Sequence, residues 1–211
     1  MVFFKTSIII FILFLFGVST VSATTEFTSS IQESGGDYSS LSTWEADVNT
    51  DLTHTCTAVY SGSITGTLTD GVTLELFRDG TYQSATSTLV ATTSTQLLVE
   101  NYSGLVGGES YVLQTGDQWR VASSTDNMFT VSGSDDELGD DPIIVAQIEG
   151  TWTNADTTRV IIDGWTTSAT NYIKIYTTTE ARHDGKWNTS AYRLNFVDDY
   201  AYVIDVAEDY V

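Results

Sequence analysis

The sequence predicts an all-β protein, and three observations predict it. Beyond residue 23, short runs rich in Thr, Val, Ile, Tyr and Trp alternate with Gly, Asp, Asn and Ser. Asp-Gly and Gly-Gly pairs, which tolerate positive φ, fall where those runs break. Only one short stretch, near residue 45, carries helix signals.

Composition narrows the function classes. The 211 residues hold 28 acids and 8 bases, a formal charge of −20. Such a balance argues against a nucleic-acid binder, which needs Lys and Arg to neutralise phosphate. Hydrophobic residues make up 41% and aromatics 12%, too much for a disordered chain. A single cysteine, Cys56, excludes a disulfide scaffold and a Cys-based zinc site. Cys56 is expected to be buried as a small apolar group.

Residues 1–23 read as a secretory signal. Lys5 supplies the positive start, 8–16 the apolar run, and Val21-Ser22-Ala23 the cleavage site. A spanning helix needs ~20 apolar residues, and this run is about half that. The expectation is cleavage after Ala23, secretion or surface display, and no membrane span thereafter. Next, Ser42-Thr43-Trp44-Glu45 has capping-box spacing and predicts a two-turn helix over 43–49. Strands are expected at 73–77, 96–100, 111–114 and 118–122, with turns at Asp79-Gly80 and Thr115-Gly116-Asp117. That middle segment reads as a small antiparallel domain. The acidic run from Asp135 to Asp141, followed by Pro142, reads as a linker. Apolar runs then recur at 143–148, 159–162, 172–176, 192–196 and 201–206. They suit a parallel solenoid or an antiparallel sandwich, and periodicity does not separate the two.

Three stretches carry a family resemblance. They are Arg159-Val160-Ile161-Ile162-Asp163-Gly164-Trp165, Asn171-Tyr172-Ile173-Lys174-Ile175, and the segment from Ala181 to Leu194 that contains Arg182-His183-Asp184-Gly185-Lys186-Trp187. Together they resemble exported right-handed parallel β-helix (pectate-lyase-like solenoid) surface proteins of environmental microbes and viruses. Gly35-Gly36-Asp37-Tyr38 and the helix signal after it look like the cap of such a solenoid. The resemblance implies the start of a right-handed parallel β-helix with a short cap helix and an inserted antiparallel β domain. The organisation it implies is signal 1–23, cap and first coil 24–56, inserted β domain 57–132, acidic linker 133–142, and coils 143–211. The function implied is a non-catalytic structural or adhesive β-solenoid at a cell surface. Two alternatives are a carbohydrate-binding or polysaccharide-degrading β-helix module and a self-assembling filament subunit.

Candidate chemistry is sparse. Arg182, His183, Asp184 and Lys186 could hold and attack a carboxylated sugar, but Asp184-Gly185 is a turn signal. Neighbouring strand residues also face opposite ways, so His183 and Asp184 would not form a dyad. Asp163 and Trp165 could flank a sugar, yet an Asp-Gly turn beside a core Trp accounts for them. Trp119, Trp152, Trp165 and Trp187 could form a saccharide platform, or simply fill the core. The run from Asp135 to Asp141 could take Ca²⁺, which wants several oxygens, but it lacks EF-hand spacing. No catalytic, cofactor-binding or metal residue is assigned, and no cofactor is expected. The partners expected are a polysaccharide or further copies of the chain. The C-terminal run Val203-Ile204-Asp205-Val206 is β-prone without Lys or Pro, so it should not face water bare.

Overall fold

The computed structural model describes residues 25–54, 56–103, 113–122, 124–133, 142–196 and 202–211. In chain order the elements are β1 (Glu26–Ile31), α1 (Leu41–Val48), β2 (Ala58–Thr65), β3 (Thr73–Arg78), β4 (Thr81–Thr92), β5 (Gln96–Ser103), β6 (Gln118–Val121), β7 (Met128–Val131), β8 (Ile143–Ile148), β9 (Val160–Ile162), β10 (Ile173–Thr177) and β11 (Ile204–Val206).

Six antiparallel strands close into a barrel in the order β2-β5-β4-β3-β6-β7. Closure depends on β2 changing partners midway. Its first half pairs with β5, from Ala58 opposite Val99 to Ser61 opposite Gln96. Its second half pairs with β7, from Gly62 opposite Val131 to Thr65 opposite Met128. Gly62 stands at the switch. A Cβ there would collide with the Thr130 carbonyl and lie 2.6 Å from the Phe129 ring. Only glycine lets β7 approach so closely. Inside the barrel Trp119 stacks on Tyr60 at 6.0 Å and meets Tyr102 edge-on at 5.7 Å. At one end Arg78 forks onto the buried Asp117, at 2.8 Å through Nε and 2.6 Å through a terminal nitrogen.

The remaining strands pair in parallel. β8 lies between β1 and β10, in register: Phe27, Ile144 and Ile173 form one row across the sheet. This central position buries β8 on both faces, hence its unbroken apolar run. β9 and β11 form a separate two-stranded sheet.

α1 lies over this layer. It begins two residues before the expected start, because Ser40 rather than Ser42 caps it: Ser40 Oγ accepts from Thr43 N–H at 3.1 Å. Glu45 does not reach back to a capping residue. Its Oε1 instead accepts from Trp165 Nε1–H at 3.2 Å, which ties the helix to the Asp163-Gly164-Trp165 turn. Trp44 and Trp165 then stack at 6.0 Å in the core.

The barrel and the parallel layer share a seam. Val59, Val90, Ala91 and Leu98, on the outer face of the barrel, belong to the same buried cluster as Phe27, Trp44 and Ile144. A bulge between Leu89 and Ala91 turns both Val90 and Ala91 to that side. Gln96 of β5 adds a polar tie. Its side chain accepts from Thr28 N–H at 2.9 Å and donates to the Glu26 carbonyl at 2.7 Å, covering the outer edge of β1.

These findings correct the expected architecture. The chain is not the start of a right-handed parallel β-helix. Six of the eleven strands among the described residues form a closed antiparallel barrel, and parallel strand pairing is limited to sheets of three and two strands, with three isolated parallel bridges beside them and no repeating coil. The resemblance to β-helix surface proteins therefore does not hold. Short Thr- and Val-rich runs specify strands but not the direction of pairing, and tight turns such as Asp79-Gly80 favour antiparallel neighbours. Run 192–196 forms no strand; Leu194 makes only an isolated bridge to Asp156. The structural, adhesive, saccharide-module and filament readings tied to a solenoid fall with it. Segments 1–24 and 134–141, carrying the signal and the acidic run, lie outside the described residues, as do Tyr111 and Val112. Among the described residues no helix is long and apolar enough to cross a membrane.

Candidate functional site

The β9/β11 sheet leaves part of the core face open. Ile204 pairs with Val160 and Val206 with Ile162, so in a parallel in-register ladder their side chains share a face. Val160 and Ile162 are fully buried. Ile204 and Val206, one strand further out, are 45% and 48% exposed. Tyr202, Tyr210 and Val211 are exposed close by in sequence. One edge of β11 is engaged: Val160 N–H donates to the Val203 carbonyl at 3.0 Å and Ala207 N–H to the Ile162 carbonyl at 2.9 Å. Among the described residues no strand pairs with the other edge. By contrast, β1 is covered by Gln96, and Ile173 at the start of β10 donates to the Tyr210 carbonyl at 3.2 Å. Arg159 lies 3.1 Å from Asp205, so the one charge within β11 is paired toward β9.

The cluster Arg182-His183-Asp184-Gly185-Lys186 is a turn. Gly185 has φ +88°, and Asp184 Oδ1 accepts from Lys186 N–H at 3.3 Å. His183 faces Trp187, ring to ring at 5.6 Å, and its Nδ1 accepts from Asn188 N–H at 3.2 Å. His183 and Asp184 are thus occupied separately, and no dyad forms. Asp163-Gly164-Trp165 is also structural: Gly164 has φ +85°, the Asp163 carbonyl accepts from Asn49 Nδ2 at 2.6 Å, and Trp165 is buried. Of the four tryptophans weighed as a platform, Trp119, Trp152 and Trp165 are core residues, whereas Trp187 is 77% exposed. Cys56 is partly exposed against the barrel core rather than fully buried. Among the described residues no cluster of three His, Cys, Asp or Glu could hold a metal.

Sequence reasoning passed over Asp156. Buried at the start of α1, its Oδ2 accepts from Leu41 N–H at 3.2 Å and from the Tyr192 hydroxyl at 3.1 Å. Its Oδ1 takes Thr158 N–H and hydroxyl at 3.0 and 2.6 Å. Burial, then the Asp156 charge, pushes the Tyr192 hydroxyl far above its ordinary pKa, so it stays a donor. The Asp-x-Thr spacing was the available signal, since Asp commonly accepts from the backbone two residues on. An acidic pair, Asp47 and Asp70, lies between α1 and the turn before β3. Tyr38 donates to Asp47 Oδ2 at 2.5 Å. Desolvation, followed by a hydrogen bond and repulsion from Asp47, raises Asp70 to about 6.

Two shallow grooves adjoin across Thr153 and Asn154. One, of about 410 Å³, runs past Trp187, Arg193, Leu194 and Asn195. The other, of about 510 Å³, runs past Gln32, Glu33, Ser34 and Thr151. Comparison with protein-family models, with curated proteins and with solved structures finds no match for this chain.

Proposed function

We propose that this chain is an exported, non-catalytic binding module, and that its working surface is the outer edge of β11, unpaired among the described residues, which takes up an extended strand of another polypeptide. The observation that carries the reading is the exposure of Ile204 and Val206 on the same sheet face as their buried ladder partners Val160 and Ile162. A further strand in register would pack its own side chains beside these two and satisfy the outer backbone groups of β11, which is how strand addition gains both affinity and specificity. Charge supports a basic occupant. Residues 202–211 contain no cation, and of their acids Asp205 is paired with Arg159, which leaves Glu208 and Asp209 in a chain of net charge −20. A second copy fits less well, because self-pairing would bring together two chains of net charge −20 at ends that carry Glu208 and Asp209 and whose Asp205 is already paired with Arg159. The partner is therefore a strand with apolar residues at alternate positions and Lys or Arg between them. Lys5, the apolar run 8–16 and Val21-Ser22-Ala23 support export.

Fluorescence anisotropy of the full chain with a short labelled peptide alternating Val and Lys tests the proposal. Binding is expected for that peptide, not for a Val-Glu counterpart or a Val/Lys scramble, and Ile204→Asp should abolish it. Equal binding of the scramble would reduce the effect to net charge and overturn the proposal. Self-association that blocks the peptide would make a second copy the occupant, with the same consequence.

A further inference from the structure

We infer that the groove beside Trp187 is a second binding site, for the neutral rings of a polysaccharide. It involves none of β9 or β11, so it stands independently of the strand-docking reading. Trp187 is the most exposed large apolar side chain among the described residues. Its placement is nonetheless built. Stacking on His183 (25° between planes) fixes one face, and the His183 ring is itself held by Asn188 N–H. A rigid ring with its free face on a groove is a platform for the apolar face of a sugar, at little cost in side-chain entropy.

The rest of the groove explains why the ligand is uncharged. Of the groove-lining residues, only Arg193 and Glu33 are charged. Both are occupied within the protein. Arg193 donates to the carbonyls of Thr189, Ala191 and Thr153. Glu33 accepts from Thr153 N–H at 2.5 Å and from the backbone and side chain of Asn154, and these bonds hold its carboxyl below the usual range, hence ionised. The pair rigidifies the 153–154 backbone between the two grooves rather than recruiting a counter-ion. What remains along the wall is amide and hydroxyl: Asn195, Thr151 and Ser34, together with Asn154 and Gln32, whose side-chain amide nitrogens already donate to Glu33 and Glu149. Such groups donate to and accept from sugar hydroxyls alike. The two grooves share Thr153 and Asn154, so the site runs on beyond one ring and suits an oligosaccharide better than a monosaccharide.

Isothermal titration of the full chain with cellohexaose, mannohexaose and xylohexaose tests this, with hexagalacturonate as the charged control. At least one neutral hexasaccharide should bind, and Trp187→Ala should weaken it by about tenfold. Trp187→Tyr should retain most of the affinity, and the far-ultraviolet circular dichroism of both variants should match the parent. Binding of none of the three, binding indifferent to Trp187→Ala, or preference for hexagalacturonate would each overturn the inference. Ile204→Asp, which disables strand docking, should leave the titration unchanged.

Discussion

Asp70 and Asp47 face each other across the gap between the barrel and α1, with the Tyr38 hydroxyl on Asp47 and the Asp37 charge nearby. The raised pKa of Asp70, about 6 against an ordinary 3.8, means that the folded chain holds a proton there that the unfolded chain has released. The associated stability is full below about 3.8 and is lost as pH rises to about 6. Asp70→Asn keeps the neutral form at every pH. Its urea midpoint should match the parent at pH 3.5 and exceed it at pH 7.5, the gap opening between those values. An unchanged difference across that range would show that Asp70 does not titrate against Asp47. At this scale the sequence was partly legible. Asp163-Gly164 and Asp184-Gly185 were readable as turns, because Asp and Gly act locally. Asp156, Glu45 and Gln96 were not, because each acts on backbone far away in the chain.

Elements were legible where the apolar pattern is local. The run 143–148 matches β8, and α1 begins only two residues before the expected start. Gly62 illustrates what pattern reading misses. It lies inside β2 and reads as a weak point in a strand, yet it is where β2 exchanges β5 for β7. Gly62→Ala should therefore cost about 3 kcal/mol or more, since neither the Thr130 carbonyl nor the Phe129 ring can easily withdraw. Gly80→Ala is the control. Gly80 has φ +76° and open space around it, so only backbone strain of about 1 kcal/mol applies. Urea denaturation of the two variants should separate them clearly. Equal, small losses would show that the barrel does not close through Gly62.

For the whole molecule, the deciding feature is the seam. Ala58-Val59-Tyr60, Leu89-Val90-Ala91 and Leu97-Leu98-Val99 are apolar triplets on three adjoining strands, filled from both sides. They are visible in the sequence and signal two-faced burial. What covers the outer face is not visible, because Glu26 must find Ile143 and Ile144 must find Ile173 before the parallel layer exists. For the same reason the apolar runs taken alone suit a solenoid, and the barrel with its two small parallel sheets emerges only from the long-range pairing. Since both cores use the seam, barrel and parallel layer should unfold together. With 5-fluorotryptophan incorporated, the ¹⁹F signals of Trp119, inside the barrel, and Trp44, in the other core, should vanish at one urea concentration. Two midpoints would mean that the barrel is a separate unit.

The central functional claim concerns the outer edge of β11, and residue-resolved hydrogen exchange reaches it most directly. Ala207 N–H points to β9, and amide directions alternate along a strand, so the amides of Ile204 and Val206 point outward. In the free protein these two should exchange fast while Asp205 and Ala207 are protected. Saturation with the Val-Lys peptide should slow Ile204 and Val206 and leave Asp205 and Ala207 as they were. Protection of Ile204 and Val206 in the free protein, or no change on adding the peptide, would contradict an edge that accepts a strand.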